Sequence, residues 1–159
     1  MYKIGDKIVY PMHGAGVIQS IDEKELFDEK QLYYSVEIAS EGMEILIPVN
    51  KAEEVGVRPI VSLEDIETML SALEGPMDKM VTNWTKRYQN NLDHLKTGNL
   101  VEVAHVVRNL TLMDRKKGLS SGEKRMLVNA KNFLISEMMV VAGKTKKEAD
   151  NIIENRIKA

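Results

Sequence analysis

The spacing of apolar residues changes once along this chain, near Arg58, and this change limits the folds available to it. Up to about residue 50, apolar and polar residues alternate with a period of two, as in strands that bury one face. From Ser62 onward, apolar residues recur every three or four positions, as in helices that pack on one side. We therefore predict an α+β protein with a small antiparallel β domain over residues 1–58 and an all-helical bundle over residues 59–159.

Four strands are predicted in the first domain, where they form a small barrel or a strongly bent sheet. They run over Lys7 to Tyr10, Gly16 to Ile21, Gln31 to Ile38 and Met43 to Ile47. On the last strand the alternation turns Glu44 and Leu46 outward, and Pro48 ends the strand because it has no N–H group. A single outward leucine is ordinary on a protein surface. The alternative is an edge strand that pairs with a strand of another protein.

Five helices are predicted in the second domain from apolar stripes and from capping residues. The first two cover about residues 62–73 and 83–96, and the other three begin at Asn99, Ser120 and Thr145. The fourth helix ends near Gly143, and the capping-box spacing of Ser120 and Glu123 marks its start. The boundary near residue 58 does not require a rigid connection between the two domains.

Charge is distributed unevenly, although the net charge is only −2. Residues 1–58 carry six Lys or Arg against eleven Asp or Glu, whereas residues 79–131 carry eleven against four. This asymmetry favours an acidic module that binds protein and a basic module that binds a polyanion. Cysteine is absent, and no apolar run is long enough for a signal peptide or a membrane span, so we expect a cytoplasmic protein with no disulfide framework and no membrane partner.

Motifs for catalysis or for cofactor binding are missing. His13, His94 and His105 lack the spacing of metal ligands, and none belongs to a local nucleophile motif. Residues 143–145 read GKT, but Met138 stands where a phosphate-binding loop requires its first glycine. We therefore expect no enzyme activity, no metal site and no cofactor.

The sole tryptophan, Trp84, lies in the segment TNWTKRY at the start of the second predicted helix. Periodicity alone favours burial, because one helix face carries Trp84, Tyr88, Leu92 and Leu95. The alternative is an exposed ring that wedges beside a nucleic-acid base while Lys86 and Arg87 hold the phosphates.

Two lysines of the fourth predicted helix offer further positive charge. The spacing of seven places Lys124 and Lys131 on one side of the helix, opposite Met126 and Phe133, so both are predicted to project into solvent. A merely solvated face and a phosphate-binding face are both compatible with this pattern.

Four segments, in this order, resemble the CarD (CdnL) family of bacterial transcription regulators: GDKIVYPMHGAGVI, IPVNKAEEVGVR, TNWTKRY and GLSSGEKRML. The resemblance extends over residues 3 to about 142. It implies an N-terminal Tudor-like RNA-polymerase-interacting domain, similar to that of transcription-repair coupling factors, and a C-terminal helical DNA-binding domain. It also implies a non-catalytic monomer that associates with the nucleoid through RNA polymerase.

The same resemblance implies where the partners bind. The β subunit of RNA polymerase would contact the fourth strand and one residue of an earlier strand, namely Lys24, Glu44, Ile45, Leu46, Ile47 and Pro48. Promoter DNA at the upstream edge of the −10 bubble would contact Trp84, Lys86, Arg87, Tyr88 and Lys124, and we add Lys131 because it shares the helix face of Lys124. An exposed Trp84 would then wedge into the minor groove and stabilise the open complex.

Two features of the sequence differ from the family pattern. Related sequences often carry arginine at the positions of Lys24 and Leu46, so we do not expect a bidentate arginine contact with polymerase here. Gln89 stands where a second cation can occur, which predicts weaker phosphate anchoring. A general RNA- or ribosome-associated binding protein remains the alternative function, since an acidic β module and a basic bundle would serve that role too.

Overall fold

The computed structural model describes residues 1–158 and confirms the α+β class, with a five-stranded antiparallel sheet followed by five α-helices. The strands are β1 (Lys7–Tyr10), β2 (Gly14–Leu26), β3 (Glu29–Ile38), β4 (Met43–Pro48) and β5 (Arg58–Pro59). Their order in the sheet is β4-β3-β2-β1-β5, so that β4 is an outer strand. A single 3-10 turn, Val49–Lys51, follows β4.

All four predicted strands are present, but β2 extends well beyond its predicted range and a fifth strand adds to the sheet. β2 runs five residues beyond the predicted end at Ile21, because Asp22 to Leu26 pair with Glu29 to Tyr33 of β3. This segment is rich in charge and has low strand propensity, so long-range pairing decides its conformation. β5 was not predicted, since two residues are too few to show alternation; its Arg58 and Pro59 pair with β1.

The helices match the predicted positions closely. They are α1 (Leu63–Ala72), α2 (Trp84–Lys96), α3 (Leu100–Lys116), α4 (Ser121–Ala142) and α5 (Lys146–Arg156). Each begins after a residue whose side chain accepts a hydrogen bond from the first turn: Ser62, Asn83, Asn99, Ser120 and Thr145. No helix among residues 1–158 is long and apolar enough to cross a membrane.

The structure has two hydrophobic cores, one within the sheet and one mainly among the helices. The β core contains Ile8, Ile18, Tyr34, Val36, Ile38 and Ile47. The larger core lies among the helices, but it also takes in Val9 and Ala15 from the sheet. Because Val9 and Ile8 are neighbours on β1 and point to opposite faces, this strand is buried on both sides. The sheet therefore packs directly on the helical bundle.

Buried polar contacts fix the sheet to α4. The Ala15 N–H donates to Ser136 Oγ at 2.8 Å, and the Arg58 guanidinium forms two 2.9 Å hydrogen bonds with the fully buried Glu137 carboxylate. Gly14 lies so close to Ser136 that an added Cβ would collide with the hydroxyl. Gly14 thus allows close packing between the sheet and α4, and buried contacts join the two domains although the sequence required no rigid connection.

Candidate functional site

The N-termini of α2 and α4 meet at the surface, and Trp84 lies at their junction. Trp84 is the first residue of α2, where its side chain is 48% exposed. Its indole Nε1 donates to Ser120 Oγ, the capping residue of α4, at 3.2 Å. Its ring stacks on Tyr88 with ring centroids 5.8 Å apart and an interplanar angle of 24°. The tryptophan is therefore held from two sides while nearly half of it stays open to solvent.

The rest of the α2 stripe anchors the helix to the bundle. Leu95 is buried in the helical core, and Tyr88 and Leu92 pack against that core. Tyr88 also faces Gly122 of α4, where an added Cβ would stand 3.8 Å from its ring. The apolar stripe is thus half-buried at Tyr88 and Leu92 and fully buried at Leu95, and only its first member, Trp84, is exposed.

Arg87 contacts protein rather than solvent. Its Nε and Nη2 atoms donate to the two carboxylate oxygens of Glu123 at 2.9 and 3.1 Å, and the Glu123 side chain is only 2% exposed. Ser120 Oγ also donates to Glu123 at 3.2 Å. Burial favours the neutral acid, but hydrogen bonds from Arg87 and Ser120 outweigh it and hold the pKa of Glu123 below its usual range. The guanidinium therefore stabilises the α2–α4 junction under Trp84.

Lys131 does not face solvent as predicted. Its ammonium group lies 2.7 Å from Asp150 and 2.5 Å from Glu154, both on α5, and its side chain is mostly buried. Burial lowers the pKa of Lys131, but the two carboxylates raise it more, so the group stays charged. The expectation of a solvent-facing Lys131 is wrong because α5 packs along that side of α4, an arrangement that the α4 sequence does not reveal.

Lys86 and Lys124 are the two cations of the predicted set that stay exposed. Lys86 lies in the first turn of α2, and its backbone N–H is capped by Asn83. The Lys124 N–H bonds to the Ser120 carbonyl, so its side chain starts one turn beyond the hydroxyl that holds Trp84. Two helix N-termini also carry partial positive charge. An exposed aromatic ring where two helix N-termini meet, with an exposed lysine near the start of each helix, can stack on a base while these positive groups attract phosphates.

The outer strand β4 forms a second candidate surface. As predicted, Glu44 and Leu46 are exposed, while Ile47 is buried in the β core and Ile45 is half-buried. Ile45 and Ile47 can therefore meet a partner mainly through their backbone groups. Pro48, half-buried, is the last residue of the strand.

The strand register shows which residues share the face of Leu46. Leu46 is opposite Ser35 of β3, and the same face of β2 carries Asp22 and Lys24, since Asp22 is opposite Tyr33. Lys24 of β2 and Leu46 of β4, both predicted to contact polymerase, therefore lie on one face of the sheet.

Sequence reasoning missed the residues that hold these surfaces in place. Ser136 and Glu137 are a polar pair inside the apolar stripe of α4, and that interruption was the available signal. Glu123 was recognised only as a capping residue. Its carboxylate instead bonds to Arg87 and to the Ser120 hydroxyl. Residues 1–158 contain no group of three or more His, Cys, Asp or Glu side chains placed to hold a metal ion.

Two family models match this chain, one in each half. Residues 2–61 match the family model described as the CarD-like/TRCF RID domain, and residues 68–154 match that of the CarD C-terminal domain. A Bacillus subtilis protein named "Putative transcription factor YdeB" is 42% identical over 149 residues, which cover 93% of this chain and 97% of that protein.

A solved structure is also similar to part of the chain. The solution structure of the 72-residue N-terminal domain of Myxococcus xanthus CarD is 29% identical, covers 37% of this chain and 79% of its own, and has a TM-score of 0.33. Both halves of the chain match domains of one family, and a full-length relative matches almost end to end. The chain therefore belongs to the CarD family of transcription regulators, with an RNA-polymerase-interacting domain followed by the CarD C-terminal domain.

Proposed function

We propose that this protein binds the β subunit of RNA polymerase through β4 and contacts promoter DNA at the upstream edge of the −10 bubble through Trp84. The observation that carries the proposal is the exposed indole, braced by Ser120 and Tyr88 at the junction of two helix N-termini whose first turns also carry the exposed Lys86 and Lys124. Arg87 and Lys131 support the helices in this account and do not contact phosphates, because their charges are engaged by Glu123, Asp150 and Glu154.

The mechanism is differential binding to the melted promoter. A wedge beside a partly unstacked base step is possible only after melting begins, so its binding energy stabilises the open complex over the closed one. Stacking of a base on an aromatic side chain contributes about 1–3 kcal/mol. If all of it appears in the collapse rate, the open complex lives roughly five- to 150-fold longer. Such a contact depends on DNA shape and deformability, so it acts at many promoters.

The fixed packing of sheet and bundle supports the proposal. Polymerase held at β4 can place Trp84 at a defined point on the promoter only if the two domains keep one arrangement. The contacts of α4 with Ala15 and Arg58 supply that constraint. The chain thereby acts as a monomeric bridge between polymerase and DNA. No observation of its own favours the alternative of a general RNA-binding protein.

Open-complex lifetime under competitor challenge tests the DNA contact. Trp84→Ala is expected to shorten the lifetime at least fivefold and to leave polymerase binding unchanged. Leu63→Ala is a matched control, because Leu63 is also an exposed apolar residue in the first turn of a helix. Equal lifetimes for Trp84→Ala and wild type would refute the wedge.

Affinity for polymerase tests the protein contact. Leu46→Asp places a charge on the outer face of β4 without entering the core, since Leu46 is 36% exposed. The variant is expected to fold normally and to lose binding to the β subunit in a pull-down. Retained binding would count against β4 as the docking strand.

A further inference from the structure

The two-residue turn at the tip of the β2–β3 hairpin is an unusual place for a phenylalanine. Leu26 and Glu29 are the last paired residues of the two strands, and Phe27 and Asp28 connect them. Phe27 is 99% exposed, whereas the only other phenylalanine, Phe133, is buried in the helical core. An aromatic side chain with no intramolecular cover does not stabilise this fold by burial.

The backbone of this turn also disfavours phenylalanine. Both Phe27 and Asp28 have positive φ, at 54° and 64°. Two-residue hairpin turns with positive φ at both positions prefer asparagine, aspartate or glycine, because a side chain with a bulky Cβ substituent is strained there. Asp28 follows this preference and Phe27 does not. Asparagine, aspartate or glycine would stabilise this turn better than Phe27 does. The phenylalanine therefore points to a role in binding rather than in stabilising the fold.

The tip is continuous with the face that includes Leu46. Leu26, 38% exposed, follows Lys24 on the same face of β2. From Ser35, opposite Leu46, to Glu29 at the end of the ladder is six residues along β3, or about 20 Å at 3.3 Å per residue. A patch about 20 Å long, with Leu46 at one end and the hairpin tip at the other, fits within one standard protein interface of about 800 Å² per partner.

Acidic side chains surround the apolar tip. Between residues 22 and 30 the chain carries five acids and two lysines, and the acids flank the exposed Leu26 and Phe27 on both sides. Such a surface complements an apolar pocket with a basic border on the partner. The same charges oppose pairing of two identical tips and attachment to an anionic lipid surface.

We propose that Phe27, with Leu26, inserts into an apolar pocket on the RNA polymerase β subunit and extends the contact that β4 makes. The inference rests on the proposed function, because it takes the same partner as β4. Phe27 would serve as an anchor of the kind that dominates interface energetics, while β4 supplies backbone pairing.

Affinity of the full chain for RNA polymerase without promoter DNA tests the inference. Phe27→Asn is expected to weaken binding at least tenfold, and Phe27→Leu to retain most of it. Because asparagine suits a positive φ, the melting temperature of Phe27→Asn should equal or exceed that of the wild type. Leu63→Asn is the control for loss of an exposed apolar residue elsewhere and should bind as wild type does.

Comparison with Leu46→Asp separates this inference from the docking of β4. If Leu46→Asp weakens binding and Phe27→Asn does not, the hairpin contact is overturned and β4 docking stands. If only Phe27→Asn weakens binding, the hairpin contact stands and β4 docking fails. A lowered melting temperature of Phe27→Asn with unchanged affinity would assign the residue a purely structural role and overturn the inference.

Placing a photo-crosslinking phenylalanine at position 27 identifies the occupant directly. Crosslinks to the β subunit in the assembled polymerase are expected. Crosslinks to a second copy of this chain, or to another polymerase subunit only, would contradict the proposal.

Discussion

The indole N–H of Trp84 bonds to the hydroxyl of Ser120 at 3.2 Å, so the cap of one helix holds the exposed ring of another. Ser120 Oγ also accepts the Glu123 N–H at 3.2 Å. One hydroxyl thus closes the first turn of α4 and fixes the direction of Trp84. A ring that is already oriented loses less freedom when it binds.

Ser120→Gly separates these two roles. Glycine replaces a capping serine at a cost of only a few tenths of a kcal/mol, but it cannot hold the indole. A net hydrogen bond contributes about 0.5–1.5 kcal/mol. We expect a small loss of stability, because the buried Glu123 carboxylate also loses its hydrogen bond from Ser120, and an open-complex lifetime shortened roughly two- to tenfold. In the free protein, Ser120→Gly should also increase acrylamide quenching of tryptophan fluorescence, which comes from Trp84 alone. Unchanged quenching and lifetime would contradict the bracing role.

Arg87 and Glu123 should matter for stability more than for DNA binding. Removing one member of a buried ion pair typically costs 3–5 kcal/mol because the other charge is left unpaired. We expect Arg87→Met to lower the free energy of unfolding by about 3 kcal/mol, measured by urea denaturation. Arg87→Met combined with Glu123→Leu should recover most of that loss. If this double variant is folded and still shortens the open-complex lifetime, Arg87 contacts DNA.

The depressed pKa of Glu123 gives this pair a definite pH dependence. A carboxylate with a lower pKa in the folded state stabilises fully above its unfolded pKa of about 4.3, and this stabilisation is lost as pH falls through the folded pKa. As pH falls from about 6 to about 3, a range that includes the unfolded-state pKa of about 4.3, the wild type should lose more stability than the Arg87→Met, Glu123→Leu double variant. Parallel curves for the two proteins in urea titrations would exclude the pair as the cause.

Lys124 and Lys131 form a matched pair of lysines on one helix with opposite expected effects. Lys124 is exposed, and loss of one phosphate contact reduces the salt dependence of DNA binding by about one unit of log–log slope. Lys124→Ala should show this reduction with little change in stability. Lys131→Ala should leave the slope unchanged and lower the melting temperature, because Asp150 loses its partner and Glu154 keeps only Arg115. If Lys131→Ala reduced the slope and Lys124→Ala did not, Lys131 rather than Lys124 would contact DNA.

Glu137 tests whether the fixed arrangement of the two domains matters. Its buried carboxylate accepts two hydrogen bonds from Arg58 and one from the Val61 N–H at 3.2 Å. Glu137→Gln should lower the free energy of unfolding by about 3 kcal/mol. At a temperature where the variant is still folded, it should bind polymerase normally and yet shorten the open-complex lifetime. A normal lifetime would show that the domain arrangement is not required.

Much of the fold could be predicted because the relevant signals are local. Helix starts were marked by Ser62, Asn83 and Asn99, and strands β1, β3 and β4 by alternation within their own residues. The charged end of β2 escaped prediction because only its pairing with β3 makes it a strand.

The candidate site depended more on contacts between distant residues. The outward direction of Leu46 followed from alternation, but the partners of Arg87 and Lys131 lie 36 and up to 23 positions away. Periodicity assigned Trp84 to the buried stripe of α2. Its position in the first turn, beyond the reach of the core, places it outside. Similarly, Glu137 interrupts the apolar stripe of α4 in the sequence, but only the structure shows that Arg58 of the sheet is its partner.

The most direct test of the account is whether Trp84 touches bases at the upstream edge of the bubble. A promoter with 2-aminopurine at that edge reports stacking, because contact with an aromatic ring quenches its fluorescence. In open complexes formed with RNA polymerase, the wild-type protein should give clearly lower 2-aminopurine emission than Trp84→Ala. Equal emission with the two proteins, both bound to polymerase, would contradict the central claim.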